Sequence, residues 1–195
     1  MRRTITALAA GIAVLGFTAS SAAAKQSSAA AEPVGNIVET AIAVSSLDGP
    51  DTNGKDYDLL IGAVLEAGLA DALSGPGPLT VFAPTDRAFQ KLVADLTMSD
   101  ELPSEADTLA AIQGLDDTLL TTILLYHVTP GALDSAAVLG SESLPMLSGG
   151  TVTPRFPGFL GDGAEDARDP KLVKQAIDIV ATNGYIHTID RVLLP

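Results

Sequence analysis

The two histidines, His127 and His187, are the first residues to consider for chemistry, because imidazole acts as a general base and a metal ligand near neutral pH. They match neither an HxxxH nor an HxH metal spacing, and no serine lies in a GxSxG nucleophile motif. We therefore interpret both as hydrogen-bonded structural residues. A hydrolase that pairs one of them with a carboxylate is the weaker alternative.

An acidic loop near the amino-terminal third is a second candidate site. Calcium is bound by carboxylates that alternate along such loops. An EF-hand counted from the second acid of this loop would need an acid at its fifth position and Glu at its twelfth, where the chain has Lys55 and Gly62. The pattern fails, so a solvated loop is favoured and calcium binding stays an open alternative. The oxygen-bearing residues are Asp48, Asp51, Asn53, Asp56 and Asp58.

Composition excludes several classes of function. The chain has no cysteine, which excludes disulfides, thiolate catalysis and Cys–zinc sites. Its net charge of −13 argues against nucleic acid or anionic lipid as partners, since both require clustered Lys and Arg. Aromatic residues are few and tryptophan is absent, so a stacking surface for sugars or bases is not expected.

The first residues have the pattern of a bacterial-type signal peptide over residues 1–24. Arg2 and Arg3 precede an apolar run, and Ala22 to Ala24 form an A-x-A cleavage site. Losing these two arginines and no acids would change the net charge from −13 to −15. The apolar run is too short for an ordinary membrane span, so we expect an exported protein without one. Residues 25–35, rich in Ala and Ser, are predicted to be a flexible spacer.

The most strongly patterned stretch runs from Leu79 to Leu96. Its first residues predict a strand, and Thr85 is placed as the N-cap of a following helix whose first turn contains Asp86. The apolar residues of that helix recur with helical spacing and predict a buried face. They are Phe89, Leu92, Val93 and Leu96.

The remaining elements predict one α+β domain over residues 36–195. Helices are expected over Asn36–Val44, Asp56–Leu69, Ser104–Gln113 and from Asp116 or Asp117 to Val128, the last with Leu119 on its buried side. Two or three short strands are expected between Ala132 and Val152, one of them around Val138–Leu139, followed by irregular chain to Lys171. Asn183-Gly184 predicts a type I′ hairpin turn between two final strands.

Three segments, TVFAPTDRAFQKL (80–92), LLYHVTPG (124–131) and NGYIHTIDRVLLP (183–195), resemble the motifs of a fasciclin domain, in the family's order and at about its spacing. The resemblance implies a β-wedge or sandwich with several helices on one side. The first and last motifs would form neighbouring core strands, with Thr85 and Asp86 as capping residues. The expected core residues are Phe82, Phe89, Ile186, Ile189 and Val192.

The residues most typical of the family are therefore expected to be structural. They are Thr80, Phe82, Pro84, Thr85, Asp86, Phe89, Asn183, Gly184, His187, Ile189 and Asp190. In animal matrix members of the family, the central Tyr-His motif is linked to integrin binding. The matching interaction residues here are Leu124, Leu125, Tyr126, His127 and Val128, for which packing inside the fold is the alternative.

The functional expectation is an exported, non-catalytic cell-adhesion or extracellular protein-interaction module, without cofactor, catalytic or metal residues. Its partner would be a protein or a component of the cell surface or matrix, with recognition also carried by the loops Asp48–Asp56 and Met98–Asp117. The alternative is an extracytoplasmic protein that binds a small ligand or calcium.

Overall fold

A computed structural model of the chain describes residues 33, 35–45, 52–164 and 168–195. The predicted signal peptide and most of the predicted spacer lie outside these ranges, as do Asp48 and Asp51 of the acidic loop. The described residues combine α-helices with two β-sheets, which confirms the predicted α+β class.

Helix starts follow the capping residues in the sequence. Ser104, Asp116 and Asp134 each accept hydrogen bonds from backbone N–H groups in the first turn of the helix they precede, and Asn36 forms a complete capping box with Glu39. Within the described residues, no single helix is long and apolar enough to span a membrane. The helices are α1 (Ile37–Val44), α2 (Asp58–Glu66), α3 (Ala70–Ser74), α4 (Asp86–Thr97), α5 (Glu105–Gln113), α6 (Asp117–Leu125) and α7 (Ser135–Gly140).

The strands are β1 (Leu79–Pro84), β2 (Val128–Pro130), β3 (Leu144–Pro145), β4 (Thr151–Arg155), β5 (Phe159–Gly161), β6 (Ile179–Ala181) and β7 (Gly184–Ile189). The first sheet has the order β2-β1-β7-β6 and the second the order β3-β4-β5. β1 and β7, from the first and last motifs, pair in parallel from Leu79 opposite Gly184 to Pro84 opposite Ile189. The predicted neighbouring core strands are therefore confirmed.

Alternation along β1 divides the interior into two apolar clusters. Val81 and Ala83 contribute to the first cluster, together with apolar residues of α1, α2, α4, α5 and α6. Phe82 points to the opposite face and contributes to the second cluster, with residues of the second sheet and of the carboxyl terminus. The five core residues expected from the resemblance are all buried: Phe82, Phe89, Ile186, Ile189 and Val192.

Some local predictions were wrong. The expected strand around Val138–Leu139 is helix α7, whose start is capped by Asp134. Val128 lies in β2 rather than at the end of α6. Leu96 and Leu119, predicted on buried faces, are 66% and 47% exposed. Helical periodicity defines an apolar stripe, but the packing of other elements decides how much of it is covered.

The final hairpin forms with a different turn from the one predicted. Ala181 pairs with Gly184, which leaves Thr182 and Asn183 as the turn residues, and neither has the positive φ that a type I′ turn requires. Gly184 instead lies in β7 with φ of 157°, close against the β1 backbone. The Asn183 side chain of this turn bonds to the backbone of Ile37, Leu73 and Gly75, which are distant in sequence.

Candidate functional site

The predicted interaction segment lies at the junction of α6 and β2. Tyr126, His127 and Val128 are each 2% exposed, Leu124 is also buried, and Leu125 is half-buried. The Tyr126 hydroxyl donates to the Thr151 carbonyl at 2.8 Å. Direct contact with a partner through this segment would therefore fall to Leu125. The interaction role of the segment stays a prediction.

The His127 imidazole is bonded to the backbone at both nitrogens. Nε2 accepts a hydrogen bond from the Leu193 N–H at 2.9 Å, so Nδ1 carries the proton and donates to the Ile123 carbonyl at 2.7 Å. Burial lowers the pKa of His127 to about 4, opposed by the bond to Ile123. The ring is a neutral link between the end of α6 and the carboxyl terminus of the chain.

His187 has the opposite tautomer. Nδ1 accepts from the Asp178 N–H at 3.1 Å, so Nε2 donates to the Leu133 carbonyl at 2.8 Å. Burial also lowers its pKa. Because neither imidazole has a free nitrogen for proton transfer, this geometry supports the structural interpretation of both histidines over a hydrolase.

An apolar cleft lies beside the interaction segment. Residues of α1 and α2, including Leu65, line the cleft opposite Leu124, Leu125, His127 and Val128. Its volume is about 50 Å³, whereas pockets for small organic ligands usually measure about 300–1,000 Å³. The cleft suits a single small apolar group better than a whole small ligand.

Two of the motif residues do not act as predicted. Thr85 is the N-cap residue of α4, but its side chain makes no capping hydrogen bond. The Asp86 carboxylate does not cap its own helix; its Oδ1 accepts from the Leu59 N–H of α2 at 2.9 Å. Asp86 therefore joins two helices that are distant in sequence.

Other motif residues also fasten distant segments. Asn183 Oδ1 accepts from the Ile37 N–H at 2.8 Å, and its amide donates to the carbonyls of Leu73 and Gly75. Asp190 Oδ1 accepts from the Lys171 N–H at 2.8 Å. These polar motif residues hold the ends of elements together, which supports the structural roles expected of them.

Three aspartates form an acidic cluster that was not predicted from the sequence. Asp56, Asp58 and Asp86 each offer a carboxylate oxygen, and these oxygens lie within 4.8 Å of one another. Glu105 of α5 is 2% exposed, and its charge acts on Asp86. Burial, followed by a hydrogen bond with the Asp56 carboxyl, raises the pKa of Asp86 to about 8. Asp56 and Asp58 were noted as loop acids, but nothing in the sequence pairs them with Asp86.

Large apolar side chains are exposed in two loops. Met98, just after α4, is 92% exposed, and Leu96 and Leu102 beside it in sequence are 66% and 42% exposed. Phe156, in the turn between β4 and β5, is 94% exposed. Met98 and Leu102 lie in the loop Met98–Asp117 that was predicted to carry recognition, whereas Leu96 lies in the last turn of α4. The exposure of Phe156 was not predicted.

Comparison with known proteins supports one family. The Fasciclin domain model matches residues 55–195. Protein sll1483 of Synechocystis is 36% identical over 141 residues, covering 72% of this chain and 68% of that protein. Transforming growth factor-beta-induced protein ig-h3 of Sus scrofa is 32% identical over 139 residues, covering 71% of this chain and 18% of that protein.

A FAS1 domain pair from the insect cell adhesion molecule fasciclin I is similar in structure, with 16% identity and a TM-score of 0.49. The match covers 84% of this chain and 52% of that chain.

The fold is an α+β domain whose first and last motifs pair at its centre. The chain belongs to the Fasciclin domain family, as its three motifs predicted. This family is known in adhesion and extracellular proteins.

Proposed function

We propose that this protein is an exported, non-catalytic module that binds a protein or a matrix component at the cell surface. The observation that carries the proposal is the exposure of Met98 and Phe156, at 92% and 94%, in loops of an ordered scaffold. Large apolar and aromatic side chains are frequent anchors of protein interfaces, and loops on rigid scaffolds commonly carry recognition.

The interior supports a binding role over a catalytic one. The motif imidazoles of His127 and His187 are used in backbone hydrogen bonds. The predicted segment Leu124–Val128 contributes mainly by shaping the apolar cleft, with Leu125 as its accessible side chain. In this proposal the partner contacts the exposed loop residues, and an apolar group of the partner enters the cleft.

The sequence pattern of residues 1–24 supports export of the module. Export would locate it outside the cytoplasm, where members of this family are typically found. A single domain gives little avidity, so firm adhesion would require clustering on a surface.

The experiment is a comparative pull-down from culture medium and cell envelope of the producing cells. A double variant, Met98→Ser with Phe156→Ser, should lose the captured partner, and Leu125→Ser should weaken capture. The control is Leu139→Ser, which removes a 38% exposed leucine of α7 and should leave capture unchanged. Circular dichroism establishes that each variant is folded. Equal capture by all four proteins would overturn the proposed surface.

A further inference from the structure

We propose that Asp56, Asp58 and Asp86 form a calcium-binding site where the loop before α2 meets the amino terminus of α4. The three carboxylate oxygens lie within 4.8 Å of one another. Calcium binds oxygen at 2.3–2.6 Å and magnesium at 2.0–2.1 Å, so three oxygens within 4.8 Å of one another can surround one such ion. The flexible coordination of calcium suits donors from two separate elements better than the strict octahedron of magnesium. An oxygen-only donor set also favours these hard cations over zinc or copper.

Two buried carboxylate oxygens that lack hydrogen-bond donors support the proposed calcium site. Apart from a proton shared between the two carboxyls, no hydrogen-bond donor in the described part of the chain reaches Asp56 Oδ1 or Asp86 Oδ2. Asp86 is 0% exposed and Asp56 4% exposed, so bulk water does not reach these carboxylates. Buried carboxylate oxygens are costly unless a proton or a cation compensates them.

The remaining oxygens of these residues are fixed, which holds the cluster in place. Asp86 Oδ1 accepts from the Leu59 N–H at 2.9 Å, and Asp56 Oδ2 accepts from the Asn53 side-chain amide at 2.9 Å. The Asp86 N–H also donates to the Asp56 carbonyl at 3.1 Å. Each of these carboxylates thus keeps one oxygen in a structural bond and leaves the other available to a ligand.

Charge also favours a cation. Among the described residues, no ion pair includes Asp56 or Asp86. The buried Glu105 adds a further negative charge that acts on Asp86. A divalent ion would compensate the buried negative charge of Asp56 and Asp86.

Thermal unfolding of the full chain tests the site. With 10 mM CaCl2 and a dissociation constant of about 1 mM, typical of extracellular modules, the Tm should rise by about 3–5 °C relative to EDTA with NaCl at equal ionic strength. MgCl2 should give a smaller rise. Asp86→Asn and Asp56→Asn preserve side-chain shape and should remove the calcium-specific rise. Asp100→Asn, at an exposed loop position, should retain it.

Terbium luminescence provides a readout that needs no acid variant to fold. Tyr57 lies between two of the proposed ligands in sequence, so excitation of tyrosine should produce saturable Tb³⁺ emission that calcium displaces. Tyr57→Phe should lower this emission, while Tyr185→Phe should leave most of it.

Two results would overturn the site. One is the absence of both a calcium-specific Tm rise and saturable emission, in which case Asp56 and Asp86 only share a proton. The other is a rise that persists in the folded Asp56 and Asp86 variants, which would locate the ion elsewhere.

Discussion

At the scale of single residues, the polar side chains of the motifs act as ties between backbone segments. His127 connects α6 to the carboxyl terminus, and His187 connects β7 to the segment before α7. Each imidazole uses one nitrogen as donor and the other as acceptor, so the neutral form fits its surroundings and the protonated form does not.

This geometry predicts that His127 contributes less to stability in acid. The pKa of His127 is about 4 in the folded protein, below its usual value of 6.5, so the unfolded chain binds more protons between these pH values. The contribution of His127 to the free energy of unfolding should therefore decrease by about 3 kcal/mol as pH falls from 6.5 through 4. The lowered pKa of His187 acts in the same direction. The raised pKa of Asp86 acts in the opposite direction, so the His127 contribution is read from the difference between the protein and a variant that lacks this imidazole.

Urea unfolding at several pH values checks this prediction against His127→Gln, which does not titrate. The variant is expected to be less stable at pH 7 but to lose less stability between pH 6.5 and 4. Parallel pH profiles for the two proteins would contradict the assignment.

Asn183 should be a strong contributor to stability despite its position in a turn. Asn183→Ala leaves the Ile37 N–H and the carbonyls of Leu73 and Gly75 without their partner. We expect a loss of about 2–3 kcal/mol in chemical denaturation, since each unsatisfied group costs roughly 1 kcal/mol or more. The neighbouring Thr182→Ala should change stability by less than about 0.5 kcal/mol, because that side chain is exposed. Similar effects for both variants would argue against this bonding.

At the scale of elements, the parallel pair β1–β7 is the contact on which the first sheet depends. Gly184 lies so close to β1 that a Cβ atom there would be 1.7 Å from the Leu79 carbonyl oxygen. Position 184 therefore requires glycine for two reasons. A side chain there would clash with the backbone of β1, and the residue has a positive φ of 157°.

Gly184→Ala should consequently destabilise the protein by about 3 kcal/mol or more, or prevent folding. The matched control is Gly140→Ala at the end of α7, where a Cβ atom meets nothing within 4 Å. That change should be neutral or slightly stabilising. Thermal unfolding followed by circular dichroism measures both, and a small effect at Gly184 would show that β1 and β7 can separate locally.

At the scale of the whole molecule, two apolar clusters are joined through the same strands. β1 directs Val81 and Ala83 to one cluster and Phe82 to the other. Because both clusters need β1 in place, we expect the described domain to unfold as one unit.

Phe82→Ala tests this coupling. Removing a fully buried phenylalanine from the second cluster should cost about 3–5 kcal/mol. Hydrogen exchange should show equal loss of protection at the Val64 amide in α2, beside the first cluster, and at the Val152 amide in β4, beside the second. Loss confined to Val152 would mean that the clusters unfold separately.

The sequence by itself determined the features that depend on neighbouring residues. The strand and helix around Thr85, the caps at Ser104 and Asp116, and the buried helix face that includes Phe89 follow from local propensity and apolar spacing. The three motifs also determined the family. These signals act over a few residues, so they can be read without coordinates.

Only the tertiary structure decided which polar residues come together. Asp56 and Asp86 are separated by two helices, a turn and a strand, and no periodicity indicates that their carboxyls meet in the interior. In the same way, the exposure of Leu96 and the burial of Tyr126 depend on what covers each surface after folding. Burial and proximity between distant segments are properties of the packed chain, because each is set by elements that the local sequence does not contain.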